Sequence, residues 1–237
     1  MDPRVHADIQ PLLEERLSGR GAPLAVVDLF SGAGGMSWGF YSWGPKLFQL
    51  VGAVDSEASE GKGCCNATYE ANLGLRPLRQ DIATLDPVAY RQSLGLKRGA
   101  LGVLISCAPC TGFSRKRPDN RRQDDPRNRL VGRTALFIEA FLPEFFVMEN
   151  VPEMLLGRHR HHFEELRLTL EALGYSYRAS VLDFAVLGLP QVRKRTLVLA
   201  WREGKPIPPL PRLALRPRTV AEAIGHLPPC VRARPTP

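Results

Sequence analysis

The stretch PLAVVDLFSGAGG, residues 23–35, decides how this chain folds. Leu24 to Leu29 is a nearly continuous apolar run rich in valine, bounded by Gly21 and Pro23 before it and by glycines after it. A run this short, with β-branched residues and turn signals at both ends, predicts a buried strand. Gly32, Gly34 and Gly35 follow at once, and glycines there permit a tight turn and close backbone approach to a ligand at a helix N-terminus. The spacing is not the dinucleotide fingerprint, which would require glycine where Ser37 stands.

Working outward, the pattern repeats. MSWGFYSWG (36–44) predicts a helix, LFQLVGAVD (47–55) a strand, and NATYEANLG (66–74) a helix closed by Gly74. LGVLISC (101–107) and FFVMEN (145–150) predict strands, with a helix between them in ALFIEAFLP (135–143). HFEELRLTLEALG (162–174) has helical periodicity, and YSYRASVLDF (175–184) and RTLVLAW (195–201) predict two last strands. Alternating strands and helices with strands buried on both faces imply an α/β fold, a doubly wound and mostly parallel sheet. The last two strands are joined by about a dozen residues without a helical pattern, so they are expected antiparallel at one edge. Residues 8–18 predict a short amphipathic helix. The expected organisation is an N-terminal helical extension at 1–23, a central catalytic domain at 24–201 and a Pro/Arg-rich tail at 202–237, extended or poorly ordered on its own.

Composition narrows the partners. A formal net charge of +8 over 237 residues favours an anionic one, nucleic acid first. Residues 115–133 hold eight Arg or Lys against three Asp, which is five of those charges. No apolar run approaches the ~20 residues of a membrane helix. No signal peptide is read at the N-terminus. Five irregularly spaced cysteines argue against a disulfide framework and for a reducing, cytoplasmic compartment.

Acids at strand ends sharpen the ligand. Asp55 closes the second strand about 20 residues after the glycine turn, where a carboxylate can accept hydrogen bonds from ribose hydroxyls. Asp81, in RQDIATLD (79–86), could reach an adenine amine or simply hold a turn. Together with the turn they point to an adenosine-containing cofactor.

LISCAPCTGFS (104–114) is the most informative stretch for chemistry. A buried strand runs into Pro109-Cys110 at the edge where ligands bind in such sheets. Pro109 stiffens the backbone, and the following Arg115 and its basic neighbours could favour a thiolate. A buried structural cysteine is the alternative. Cys107 and Cys110 also make a C-x-x-C, without the second pair of a zinc site or the helix start of a redox motif. Glu149 and Asn150 end the next strand, where apolar surroundings favour a protonated carboxyl or, alternatively, a salt bridge forms. Gln191, Arg193 and Arg195 in LPQVRKR (189–195) suit phosphate or carboxylate, or serve as a charged edge. Arg158 to His162 (RHRHH) is read as a solvated helix start, and no metal ligands are expected.

The chain resembles the DNA cytosine-5 methyltransferases over nearly its whole length from residue 24. The matching segments are DLFSGAGGMSWGF, GAVDSE, QDIATL, APCTGFS, DDPRN, ENVPEML and LGLPQVRKR, in the family's order. The resemblance implies S-adenosylmethionine as cofactor, at Phe30, Gly32, Gly34, Asp55, Asp81 and Pro109. It implies Cys110 as nucleophile, with Glu149, Arg193 and Arg195 in catalysis. Thr111, Ser114, Arg115, Asn150 and Gln191 are the implied contacts to DNA or the target base. The implied reaction methylates carbon-5 of cytosine in DNA through a covalent cysteine adduct, in a bacterial restriction–modification system. The chain departs from the family where Pro-Pro-Cys-Gln becomes Ala108-Pro109-Cys110-Thr111, where Ser56 replaces a large apolar residue, and in an insertion at 56–63. The family's target-recognition region and its final segment have no counterpart here. A second polypeptide that supplies them is therefore the expected partner besides DNA. The competing readings are a non-catalytic fragment and an RNA cytosine-5 methyltransferase.

Overall fold

The computed structural model describes residues 21–56, 65–109, 124–203 and 216–228. The helix expected at 8–18, most of the insertion at 56–63, and Cys110, Thr111, Ser114 and Arg115 lie outside the described residues.

Seven strands form one sheet in the order β3-β2-β1-β4-β5-β7-β6. They are β1 (Leu24–Leu29), β2 (Phe48–Asp55), β3 (Leu78–Arg79), β4 (Val103–Ser106), β5 (Phe145–Asn150), β6 (Tyr175–Asp183) and β7 (Lys194–Arg202). The first five run parallel, and β7 pairs antiparallel with both β5 and β6. The expected α/β class and antiparallel edge are therefore observed. The chain passes β5, lays β6 at the outside and returns β7 into the gap, an arrangement that local pattern does not encode.

Alternation along β1 sends neighbouring valines to opposite faces. Val27 and Leu29 join Leu104, Phe146 and Met148 in the larger core, completed by Phe137, Ile138 and Phe141 of α4 (Arg129–Phe141) and by Leu166 and Leu170 of α6 (His161–Ala172). Val26 joins Val103 and Ile105 on the other face, under Met36 and Phe40 of α1 (Gly35–Tyr41). Beside them Ala53 packs on Tyr69 and Leu73 of α2 (Cys65–Leu73). Both faces are covered, which is why the parallel strands read as unbroken apolar runs.

Three short helices add to the expected set. The first, α3 (Pro87–Ser93), is started by Asp86, whose carboxylate accepts from the Val88 and Ala89 amides, with Pro87 in the first turn. The second, α5 (Glu153–Leu156), is a single turn after β5. The third, α7 (Val220–Ile224), lies in the segment expected to be extended. A reciprocal capping box between Thr219 and Glu222 holds it together.

Candidate active site

Strand order reverses between β1 and β4, and their carboxyl ends diverge there. In doubly wound sheets the ligand crevice opens at this point. A cavity of about 490 Å³ occupies it, lined by Asp28, Phe30, Gly32, Gly35, Met36 and Cys107, and across from them by Glu149, Phe184 and Arg193.

The turn after β1 is held open by its own backbone. Phe30 has φ +59, a left-handed conformation that side chains other than glycine rarely adopt. Gly32 follows at φ +49, and its N–H donates to Asp55 Oδ2 at 2.9 Å, so the end of β2 fixes the turn. Nothing lies within 4 Å of where a Cβ would stand on Gly32 or Gly35, which leaves their backbone open to a ligand. Gly34 differs. At φ +88 its absent Cβ would lie 2.6 Å from Leu73 and 2.9 Å from Tyr69, so its contact is with α2 rather than with the cavity.

Asp28, a lining residue the sequence reading missed, is buried in β1. Ser37 donates to its Oδ2 at 2.6 Å, and Tyr69 donates to Ser37 at 2.8 Å. Oδ1 has no hydrogen-bond partner among the described residues. Burial pushes this carboxyl up to about 7; the Ser37 hydroxyl opposes the rise and the nearby Asp55 charge adds to it. An acid interrupting an apolar strand was the available signal, since such a residue must find compensation.

The far wall comes from β5 and β7. Glu149 accepts from Arg195 Nε at 2.8 Å and has Arg193 NH2 3.9 Å away. Arg193 precedes β7 and is positioned by Asp183, whose carboxylate accepts from the Arg193 backbone N–H at 3.2 Å. The salt bridge anticipated as one alternative for Glu149 is thus present, and it sits on the cavity.

Other expected site residues fall elsewhere. Asp81 accepts from the Ala83 amide at 2.9 Å, is exposed, and holds a turn outside the cavity lining. Asn150 is buried; its Nδ2 donates to the Ala108 carbonyl at 3.2 Å and its Oδ1 accepts from Val151 N–H at 2.8 Å. The amide thus ties β5 to the segment leading into Pro109. Gln191 is exposed on the β6–β7 connection, and Pro109 is half-buried.

Residues 24–225 match the family described as C-5 cytosine-specific DNA methylase. The chain belongs to that family. It is 34% identical over 207 residues to the type II methyltransferase M.XorII of Xanthomonas oryzae pv. oryzae, covering 85% of this chain and 46% of that protein. The type II methyltransferase M1.HphI of Haemophilus parahaemolyticus is also 34% identical, covering 86% and 53%. The chain thus spans about half the length of these methylase relatives. Against M.AquIA of Picosynechococcus, 31% identical, the match covers 76% of this chain and 73% of the relative. The fold is also that of the Entamoeba histolytica methyltransferase EhMeth, with TM-score 0.66, 18% identity and coverage of 84% and 58%. Among the described residues no helix is long and apolar enough to cross a membrane.

Proposed function

We propose that this methylase transfers a methyl group from S-adenosylmethionine to carbon-5 of cytosine in DNA, with Cys110 as nucleophile. The observation that carries the reading is the single cavity joining the glycine turn after β1 to the Glu149 carboxylate and Arg193. A cofactor site and a base-binding wall must share one space for methyl transfer.

The residues present fit the cofactor. The open backbone at Gly32 and Gly35 admits a ligand beside Met36 and Cys107. Phe30 and Gly32 would line that ligand, with Asp55 behind the turn. When bound, S-adenosylmethionine supplies a methyl group made electrophilic by its sulfonium.

The protein's part is to make carbon-5 nucleophilic. The target base leaves the helix stack at a cost of about a few kcal/mol. The Cys110 thiolate adds to carbon-6, and the ring electrons move toward carbon-5. Glu149 holds ring nitrogen 3 and a proton there, and Arg195, donating to Glu149, keeps the carboxyl in place. Arg193 adds positive charge beside the adduct. After carbon-5 is methylated, a base takes its proton, and the carbon–sulfur bond breaks to release the thiolate. Asn150 acts as a positioning residue, tying the Ala108 carbonyl to the end of β5.

The domain at 24–201 is read as the catalytic unit. The remaining family length, including the DNA-reading region, is read as supplied by further residues or by a second polypeptide. A restriction–modification role rests on the type II names of the relatives.

The test is trapping on 5-fluorocytosine, which cannot lose its carbon-5 substituent as a proton. With S-adenosylmethionine present, and with a complementing chain if one is needed, DNA should give a denaturation-resistant adduct that RNA does not. Cys110→Ser should abolish it. An adduct that persists in the variant refutes the assigned nucleophile, and one formed on RNA alone refutes the DNA substrate.

A further inference from the structure

Apart from the residues that line the cavity described above, three imidazoles surround one carboxylate. His162 Nε2 lies 2.8 Å and His161 Nε2 3.3 Å from Asp124 Oδ2, and His159 Nδ1 lies 3.5 Å from Oδ1. Asn128 is buried and donates to Oδ1 at 2.7 Å, which fixes the rotation of the carboxylate. The expectation of a wholly solvated helix start fails here, because His162 is buried while His161 stays exposed.

Two ring nitrogens aimed at one oxygen pose a proton-counting problem. As hydrogen bonds, both Nε2 atoms must carry protons. As ligands, both present lone pairs to one cation that replaces those protons. The ligand atoms of Asp124, His161 and His162 all lie within 4.8 Å of one another. Ligands about 2.1 Å from a tetrahedral zinc ion stand about 3.4 Å apart. The 3.3 Å pair already has that spacing, and the 2.8 Å pair needs to open by about half an ångström. Asn128 behind the carboxylate is the kind of outer partner that orients a metal ligand.

The surroundings are mixed in charge. The cavity beside the cluster, about 540 Å³, is lined by Arg129, Arg133 and Glu165. Arg133 is directed away, donating to the Ile82 and Leu85 carbonyls at 3.0 and 2.7 Å. Glu165 lies one turn after His161 on α6 and lines the same cavity.

The geometry points to Asp124, His161 and His162 as a binding site for a borderline divalent transition ion of the zinc class. Imidazole nitrogen with a carboxylate oxygen suits zinc, cobalt or nickel over magnesium or calcium, which prefer all-oxygen sets. The ion would cross-link the segment entering α4 to the start of α6. That role is structural and separate from the methyl-transfer cavity.

The experiment uses the full chain, stripped with chelator and dialysed. Zinc should raise Tm in a saturable way with one equivalent bound, and magnesium should not. Cobalt should give the visible absorption of a nitrogen/oxygen site, without thiolate charge-transfer bands. His161→Ala removes an exposed side chain and should weaken zinc binding at least about tenfold. Asp124→Asn should do the same, while His226→Ala, far from the cluster in sequence, should leave the response intact. A Tm unmoved by zinc, a thiolate-type cobalt spectrum, or an equal response in His161→Ala overturns the site.

Discussion

Asp28 is the one charged residue in β1, and its carboxyl titrates far above its ordinary range. In the unfolded chain it loses its proton near 3.8, in the folded chain near 7. Between those values the folded state holds the extra proton, so this group's contribution to stability falls as pH rises and is level above the folded value. Asp28→Asn removes that slope while keeping an oxygen for the Ser37 hydroxyl. Measured from about pH 5 to about pH 8, the Tm of the parent should decline relative to the variant, which should be the more stable at the upper end. Parallel curves would refute a buried, protonated Asp28. The same residue marks a limit of sequence reading: its oddity in an apolar strand is visible, but its burial and its bond to Ser37 are not. Glu149 is the converse: of its two offered readings the salt bridge is the one observed, and it lies on the cavity wall.

The glycine turn and α2 act as a unit. Gly34 adopts φ +88 and starts α1, with Leu73 and Tyr69 pressed against it. Gly34→Ala meets both the left-handed backbone and two core side chains, and Tyr69 is tied to Ser37 and through it to Asp28. The variant should lose at least about 1–3 kcal/mol in denaturant unfolding and weaken cofactor binding with it. An unchanged midpoint would show that the turn relaxes freely. Buried strands and the longer helices were readable because burial on both faces leaves a continuous apolar run, as in Val103–Ser106, and because α6 keeps its helical period. The short ones were not. Asp86-Pro87 is a legible helix start, but one or two turns give too few positions for a period to show in α3, α5 or α7.

The charge balance of the full chain belongs with its proposed DNA partner. A net +8, with eight Arg or Lys in residues 115–133, predicts that affinity is largely counterion release. In a filter-binding or anisotropy titration, with any required complementing chain held constant, log affinity should fall linearly with log salt, at a slope of about −0.9 per phosphate neutralised. A salt-insensitive affinity would remove phosphate contacts from the account. The exposed apolar residues Val220, Ile224 and Leu227 lie at the end of the described chain. They add no core to the catalytic unit, so its stability should not depend on them.

Residue order alone was enough for the α/β class, the parallel run of strands, the glycine turn and the family, because each is written in local periodicity or in short ordered motifs. Three things required the folded chain: the return of β7 between β5 and β6, the meeting of Asp28 with Glu149 and Arg193 on one cavity, and the gathering of three histidines around Asp124. Each depends on residues far apart in sequence, and their proximity is set by sheet order and core packing rather than by any property of the neighbouring chain.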